Sequence, residues 1–368
     1  MLCHPAIFML QPRPMIMLGI ETSCDETAVA LVRGDKTVMA NLVLSQIKEH
    51  EAFGGVVPEI AARAHMEHLD TLIRAAMKDA GIGFKDLSGV AATSGPGLIG
   101  GVMVGMMAGK AIAAARNLPF IAVNHLEGHA LTPRLTNNLD FPYLLLLVSG
   151  GHTQILIAHA VGRYEKLGGT IDDALGECFD KAAKLMGLPH PGGPNVEKAA
   201  ADCADPAAAL RKFPLPQPMK GREGCDFSFS GLKTAVRNHV EKLPAGKLAY
   251  DDVCALCFSF QETVAQIIED RVEHAVAAFK AQAPAGRAIV VSGGVAANIK
   301  IRNTLKELAY AHSLECIAPP LELCSDNGAM IAWAGIERLR CGMTDTLDVP
   351  ARPRWPLDPA ASGKTVPV

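Results

Sequence analysis

Residues 143–159 read YLLLLVSGGHTQILIAH, two apolar runs separated by a turn of small and polar residues. Each run is short and rich in leucine, isoleucine and valine, which is typical of a buried β-strand. Gly150 and Gly151 lie between the runs and allow a tight turn, so the stretch predicts two antiparallel strands. The same two glycines let a ligand approach the backbone, and successive N–H groups in such a turn can bind anionic oxygens.

A similar arrangement occurs near the amino end of the chain. Residues 15–32 read MIMLGIETSCDETAVALV, again two apolar runs around a polar turn. A strand, a Ser-Gly turn and a helix follow each pair, at 90–116 and at 288–309. The repeated order predicts an α/β fold built from two similar halves, with a ligand in the cleft between them.

The length of 368 residues is large for one hydrophobic core and comfortable for two. We therefore predict two lobes with short additions. The predicted division is an N-terminal extension at 1–14, a first lobe at 15–135, a second lobe at 136–345 with an insertion near 190–227, and a tail at 346–368. The part of the insertion from 204 to 226 is rich in proline and charge, and we predict a loop there.

The composition is that of a globular protein, with 49% hydrophobic and 20% charged residues. A net charge of −3 argues against coating nucleic acid through bulk charge, but it leaves room for a local basic patch. No apolar stretch reaches the ~20 residues that a membrane span requires, and no secretory signal is recognisable, so we expect no membrane association. The ten cysteines follow no disulfide spacing, which indicates reduced thiols and the cytoplasm.

The turn at 149–153, SGGHT, admits two interpretations. By itself it fits an ordinary hairpin and a phosphate-binding turn equally well. Ser149 and Thr153 add hydroxyl donors, and Ser23 and Thr27 lie at corresponding places in the first polar turn. Two facing turns of this kind would form a clamp, so the pair favours phosphate binding.

Two candidate metal ligands lie in the stretch HLEGH. His125 and His129 are spaced i,i+4, which places both imidazoles on one face of a helix. The pair by itself is weak, and two helical histidines without a metal would be the better interpretation. Glu127 does not directly follow His125, so the stretch lacks the HExxH pattern of zinc peptidases.

Asp326 precedes an apolar helix, where an aspartate is most simply an N-cap, although it can still offer an oxygen to a metal. At 292–298, SGGVAAN, a glycine turn precedes a predicted helix at 295–309, and Asn298 offers both a donor and an acceptor. Ligand binding there and simple capping by Ser292 remain equally open. The turn at 95–101, GPGLIGG, lacks a P-loop lysine and is better explained by packing.

Taken in order, these stretches resemble those of the bacterial TsaD family, the tRNA N6-adenosine threonylcarbamoyltransferases. The resemblance covers about residues 15–357. It rests on ETSCDET, GGVVPE, SGPGL, HLEGH, LVSGGHT, FDKAAKLMGL, PGGP, FSFSGLKT, SGGVAAN, CSDNGAMIA and RPRWPL. It implies a duplicated actin-like ATPase (ribonuclease-H-like) fold with the ligand in the cleft.

The resemblance also implies an activity, a cofactor and partners. The family transfers a threonylcarbamoyl group from threonylcarbamoyl-AMP to N6 of adenosine 37 in tRNAs that read ANN codons. It implies one divalent metal per subunit, Fe²⁺ or Zn²⁺, and His125, His129 and Asp326 as its ligands. The implied substrate-binding residues are Leu147, Val148, Ser149, Gly150, Gly151, Asp180, Gly193 and Asn298. A paralogous TsaB-like partner and a small TsaE-like ATPase are the expected protein partners.

The transfer also needs a group that accepts a proton from the amine. Asp25 is the candidate base, with Glu26 beside it, and His152 is a candidate to contact phosphate or to tune the metal. Three alternatives compete with this hypothesis. They are an ATP-dependent kinase or ATPase of the same superfamily, with Asp25 holding Mg²⁺, a metallopeptidase, and a scaffold without catalysis.

Overall fold

Two five-stranded sheets with the same strand order form the framework of the molecule. The computed structural model describes residues 14–362 except 52, 54, 245 and 247. The strands of the first sheet are β1 (Ile16–Glu21), β2 (Glu26–Arg33), β3 (Val38–Ser45), β4 (Gly89–Gly95) and β5 (Phe120–Asn124). They lie in the order β3-β2-β1-β4-β5, with β1, β2 and β3 antiparallel and β4 and β5 parallel to β1.

The second sheet repeats this plan. Its strands are β6 (Tyr143–Val148), β7 (Thr153–Ala160), β8 (Arg163–Gly169), β9 (Ala288–Ser292) and β10 (Glu315–Ile317). Their order is β8-β7-β6-β9-β10, with β6, β7 and β8 antiparallel and β9 and β10 parallel to β6. The predicted duplicated α/β fold is therefore confirmed.

The central strands are buried on both faces, which explains their unbroken apolar runs. All residues of β1 and β6 are buried, because helices cover both sides of each sheet. The helices are α1 (Ile47–Glu51), α2 (Pro58–Asp79), α3 (Ile99–Arg116), α4 (His125–Thr136), α5 (Leu175–Leu185), α6 (Gly192–Ala201), α7 (Pro206–Lys212), α8 (Ser230–Val240), α9 (Tyr250–Gln282), α10 (Ile299–Ala311) and α11 (Gly328–Arg340).

The helix α11 returns from the second half of the chain to the first sheet, where it contacts β1, β2, β4 and β5. The approach is close, since a Cβ at Gly19 would lie 2.4 Å from the backbone N of Ala332. The predicted second lobe at 136–345 thus contains a helix that packs on the other sheet. The division into lobes stays a prediction, and residues 1–13 and 363–368 lie outside the described part.

Two predictions about local structure are wrong. The stretch 204–226 is not a continuous loop, because α7 lies within it and is capped by Asp205, whose Oδ1 accepts the N–H of Ala208 at 2.9 Å. The helix predicted at 295–309 begins only at Ile299, after a short 3₁₀ turn at Gly294–Ala297. Proline in the first stretch and glycine in the second are both typical of breaks in regular structure. Pro206, however, occupies the first turn of α7, where proline is tolerated.

Among the described residues, α3 alone has the length and composition of a membrane span. One such helix is weak support for a membrane protein, because helices that pack on a sheet pass the same test. The contacts of α3 with β4 and α2 are of that packing type.

Candidate metal centre and nucleotide cavity

The two histidines of the HLEGH stretch open α4 directly after β5. Asn124 caps this helix, because its Oδ1 accepts the N–H of Leu126 at 2.9 Å. The rings of His125 and His129 lie edge to face with centroids 4.9 Å apart. Both side chains are buried and, as predicted, share one face of the helix.

Asp326 joins the histidine pair from the segment before α11. Its Oδ1 lies 2.9 Å from Nε2 of His129 and 3.4 Å from Nε2 of His125. The prediction that Asp326 caps the following helix is wrong, since Oδ1 of Asn327 accepts the N–H of Met330 at 2.9 Å. Either residue type makes a good N-cap, so only the position of the helix start decides between them.

The donor set of these three residues fits a divalent transition metal. One ligand atom from each of His125, His129 and Asp326 lies within 4.8 Å of the others, and two imidazoles with one carboxylate suit iron or zinc. Burial alone lowers the pKa of His125, but the nearby carboxylates of Asp326 and Glu21 outweigh this effect and raise the pKa to about 9. Burial raises the pKa of Asp326, yet the two histidines bring it below its usual range.

Glu21 is a member of this centre that sequence reasoning missed. Its Oε2 lies 2.9 Å from Nδ1 of His125, so the carboxylate fixes the ring nitrogen opposite the shared cluster. Thr93 Oγ1 and the N–H of Ser23 each donate to Glu21 at 2.5 Å. The sequence signal that could have identified Glu21 is an acidic residue at the end of an apolar strand.

The turn after β6 leaves two backbone donors free. Ser149 N donates to His152 O at 2.8 Å, and His152 N donates to Ser149 Oγ at 3.1 Å. Within the described residues, the N–H groups of Gly150 and Gly151 have no acceptor, and a Cβ on either would meet nothing within 4 Å. Two adjacent free N–H groups at an open turn can bind a phosphate oxygen.

A cavity of about 320 Å³ lies beside this turn. Four of the predicted substrate-binding residues line it, Gly150, Asp180, Gly193 and Asn298. Four others lie next to it without lining it: Leu147 and Val148 are buried in β6, and Ser149 and Gly151 belong to the turn. The remaining lining includes Glu26, Gly176, Phe179, Glu197 and Val295, which sequence reasoning did not assign to the nucleotide.

Asp180 and Asn298 act on the backbone around the cavity. Asp180 Oδ1 accepts the N–H of Gly192 at 2.7 Å in the first turn of α6. Asn298 Oδ1 accepts the N–H of Ile301 at 3.0 Å and so caps α10. Capping by Ser292 is wrong, because its Oγ donates to the carbonyl of His129 at 2.7 Å. The carboxylate of Asp180 and the carboxamide of Asn298 thus each bind the N-terminus of a helix at the cavity wall.

The predicted base lies in a pair of carboxyl groups. Glu26 lines the cavity and shares a hydrogen bond with the half-buried Asp25. Burial raises the pKa of Glu26 well above its usual range, and Asp326 and Asp25 raise it further. In the turn after β6, burial and the neighbouring His125 and His129 lower the pKa of His152 to about 4, which keeps that imidazole neutral.

Glu127, the acid between the two histidines, points away from them. Its Oε1 accepts from Gly162 N at 2.8 Å and Tyr164 Oη at 3.2 Å, and its Oε2 accepts from Arg338 at 2.8 Å. These three hydrogen bonds hold α4 to its neighbours and direct the carboxylate away from the two histidines. It cannot activate a water at the metal centre, which argues against a metallopeptidase.

Comparisons with known proteins find relatives that match almost the whole chain. A sequence model of TsaD, described as tRNA N6-adenosine threonylcarbamoyltransferase, matches residues 37–333. A relative of that name from Rhodospirillum rubrum is 57% identical over 354 residues, 95% of this chain and 96% of the relative. Another, from Paramagnetospirillum magneticum, is 58% identical over 347 residues, 94% of this chain and 98% of the relative.

Solved structures are similar in fold at low identity. HypF from T. kodakarensis superposes with a TM-score of 0.55 and 14% identity, covering 91% of this chain and 50% of that one. A full-length HypF in a phosphate- and nucleotide-bound form gives 0.55 and 12%, covering 89% and 46%. These likenesses support the two-lobed actin-like fold that the sequence predicted.

Proposed function

Because the chain belongs to the family of tRNA N6-adenosine threonylcarbamoyltransferases, and so forms N6-threonylcarbamoyladenosine in tRNA, we propose threonylcarbamoyl-AMP as its donor substrate. The acceptor is N6 of adenosine 37 in tRNAs that read ANN codons. In the reaction the amine nitrogen bonds to the carbamoyl carbon, the bond from that carbon to the phosphate oxygen breaks, and AMP leaves. The amine also gives up one proton.

One observation carries this proposal: the cluster of His125, His129 and Asp326 lies close to His152 in an open glycine turn and to Glu26 in the wall of a nucleoside-sized cavity. The cavity suits the adenosine of the donor, with Gly193 and Asn298 against it. The free N–H groups of Gly150 and Gly151 then face the phosphate and stabilise the charge that grows on it as AMP departs.

The three clustered side chains would hold one divalent ion per subunit, Fe²⁺ or Zn²⁺. Such an ion, when bound, supplies Lewis acidity toward an acyl or phosphoryl oxygen. Glu21 contributes by fixing the ring of His125, and the burial of Glu21 and both histidines excludes water from that side of the centre.

Asp25 remains the proposed proton acceptor for the amine. It is half-buried and shares a hydrogen bond with Glu26 at the cavity wall, so a proton taken by one carboxyl can be shared with the other. The adenosine to be modified lies in a tRNA loop, from which it can reach this wall at little unstacking cost.

The proposed protein partners are a paralogous TsaB-like subunit and a small TsaE-like ATPase. An exposed apolar face on α2 and α3 supports docking of a protein there. Its members are Met66, Ile99, Met103 and Met107, between 46% and 70% exposed. The ATPase rests on the family resemblance alone. The free thiols of the described cysteines fit the proposed cytoplasmic location.

The test is a transfer assay with purified protein, partner proteins, threonylcarbamoyl-AMP and an unmodified ANN-decoding tRNA, read by mass spectrometry of the nucleosides. We expect modified adenosine with wild type and a loss of at least about 100-fold with His125→Ala/His129→Ala. Full activity of that double variant would remove the metal role. Peptide hydrolysis without tRNA modification by wild type would remove the proposed function.

A further inference from the structure

The segment Arg352-Pro353-Arg354-Trp355-Pro356, here called the strap, crosses the carboxyl edge of the first sheet. Arg352 N donates to Ser94 O at 2.7 Å, where β4 ends. Asn124 Nδ2 donates to Trp355 O at 2.9 Å, where β5 ends. The carboxyl edge of parallel strands is where α/β folds bind their ligands.

Two contacts place the strap beside the metal centre. Asn124, which holds the carbonyl of Trp355, is the residue before His125. On the other side, Gly97 N donates to Pro353 O at 3.3 Å, and a Cβ at Gly97 would lie 2.6 Å from Cβ of Ser23. The hydroxyl of Ser23 is 3.1 Å from Nδ1 of His125. A ligand on the strap would therefore lie close to the reacting groups.

The backbone of the strap is held by the fold, and the side chains of Arg352 and Trp355 are half-buried. Arg354 is exposed, and the guanidinium of Arg352 lies over the ring of Trp355, 4.8 Å from its centroid. Among the described residues, the arginine ion pairs all involve other arginines, so neither guanidinium of the strap meets a carboxylate. The prolines at 353 and 356 limit the freedom of the backbone between these side chains.

We infer that the strap binds the sugar–phosphate backbone of tRNA next to the adenosine that is modified, an inference that rests on the proposed function. Guanidinium groups match the geometry of phosphate oxygens and bind them with two parallel hydrogen bonds. An aromatic ring beside them can stack on an unpaired base of the loop. With a net charge of −3 the whole chain does not attract tRNA, so attraction must come from a local group such as this one.

The test measures binding of a fluorescent, unmodified ANN-decoding tRNA by anisotropy over a series of salt concentrations, with the partner proteins present. Each phosphate contact that is lost lowers the slope of log Kd against log salt by about 0.7 to 0.9. Arg352→Gln/Arg354→Gln should therefore lower the slope by about 1.5 and weaken binding about tenfold or more at low salt. Arg287→Gln is the matched control, because Arg287 is exposed before β9, at the amino end of a parallel strand.

Cobalt binding at the histidine centre and thermal unfolding check that the variants are folded. If the double variant is not, Arg354→Gln alone should lower the slope by about one, since this side chain is exposed and unpaired. An unchanged slope, or no tRNA binding by wild type, overturns the inference. The inference is also overturned if the strap variants lose binding to a protein partner but bind tRNA as wild type does. A wild type that modifies tRNA while the strap variants bind it normally refutes the strap alone and leaves the proposed function standing.

Discussion

Glu21 shows how one buried side chain organises the metal centre. Its carboxylate is desolvated, which by itself raises its pKa, but the contact with His125 lowers the pKa below the usual range. Thr93 Oγ1 also donates to Oε2 and the N–H of Ser23 donates to Oε1, so donors on both oxygens fix the orientation of the carboxylate. The ring of His125 is thereby fixed with Nε2 toward Asp326.

Glu21→Gln should weaken metal binding by about 10- to 100-fold while the protein stays folded. An amide has nearly the shape of the carboxylate, but it carries no charge to orient the imidazole N–H. The measurement is zinc affinity by competition with a chelator. Glu262→Gln, which removes a surface ion pair with Lys300, is the control. Equal zinc affinities for wild type and Glu21→Gln would show that this carboxylate does not position His125.

The packing of α5 against the turn after β6 shows how one element shapes another. Gly176 N donates to Ser149 O at 3.2 Å, and the N–H of Leu175 donates to Oγ1 of Thr153 at 2.9 Å. The hydroxyl oxygen of Thr153 thus accepts an N–H at the start of α5, and its predicted role as a phosphate donor stays a prediction. A Cβ at Gly176 would lie 2.7 Å from Ser149 O, so only glycine permits this approach.

Gly176→Ala should raise KM for threonylcarbamoyl-AMP by about tenfold, because the added methyl displaces the backbone of the proposed phosphate turn. The change in unfolding free energy should be about 1–3 kcal/mol, as for other overpacked sites. Steady-state kinetics against the donor provides the measurement. Gly231→Ala is the control, since its nearest neighbour, Pro218 Cγ, is 3.9 Å away. If both variants keep the wild-type KM, the turn is not set by α5.

The two halves of the molecule are joined through α4 and α11. Glu127 on α4 binds Arg338 on α11 and also the turn at Gly162 between β7 and β8. A second pair, Arg134 with Glu337 at 2.7 Å, joins the same two helices. The helix α4 supplies both histidines, and Asp326 immediately precedes Asn327, the cap of α11. These partly buried pairs therefore keep the ligands together across the duplicated fold.

Glu127→Ala should destabilise the protein by about 3–5 kcal/mol, because it leaves the guanidinium of Arg338 buried without its partner. Arg338 is 16% exposed and Glu127 is 2% exposed. Urea unfolding gives the free energy, and Glu165→Ala at the surface is the control, with an expected change below about 1 kcal/mol. A stable but inactive Glu127→Ala variant would contradict this and make Glu127 a candidate base.

Strands and turns were predictable because each depends on residues that are neighbours along the chain. The apolar runs at 15–20 and 143–148 are buried strands, and the repeated order of elements gave the duplicated fold. His125 and His129 were predictable as one face of a helix from their spacing alone. In contrast, α7 was missed because composition indicated a loop, although Asp205 and Pro206 are an ordinary helix start.

The amino-acid order thus determined the strands, the glycine turn and the paired imidazoles, since these depend on neighbours along the chain. Tertiary structure alone decided which of Asp326 and Asn327 caps α11, that Glu21 meets His125, and that Glu127 turns away from the centre. The contacts of Glu21 and Glu127 depend on where segments more than 30 residues apart come to lie. Local propensity cannot predict these contacts. A buried carboxylate must form hydrogen bonds, but the packing of the two sheets decides which distant residue becomes its partner.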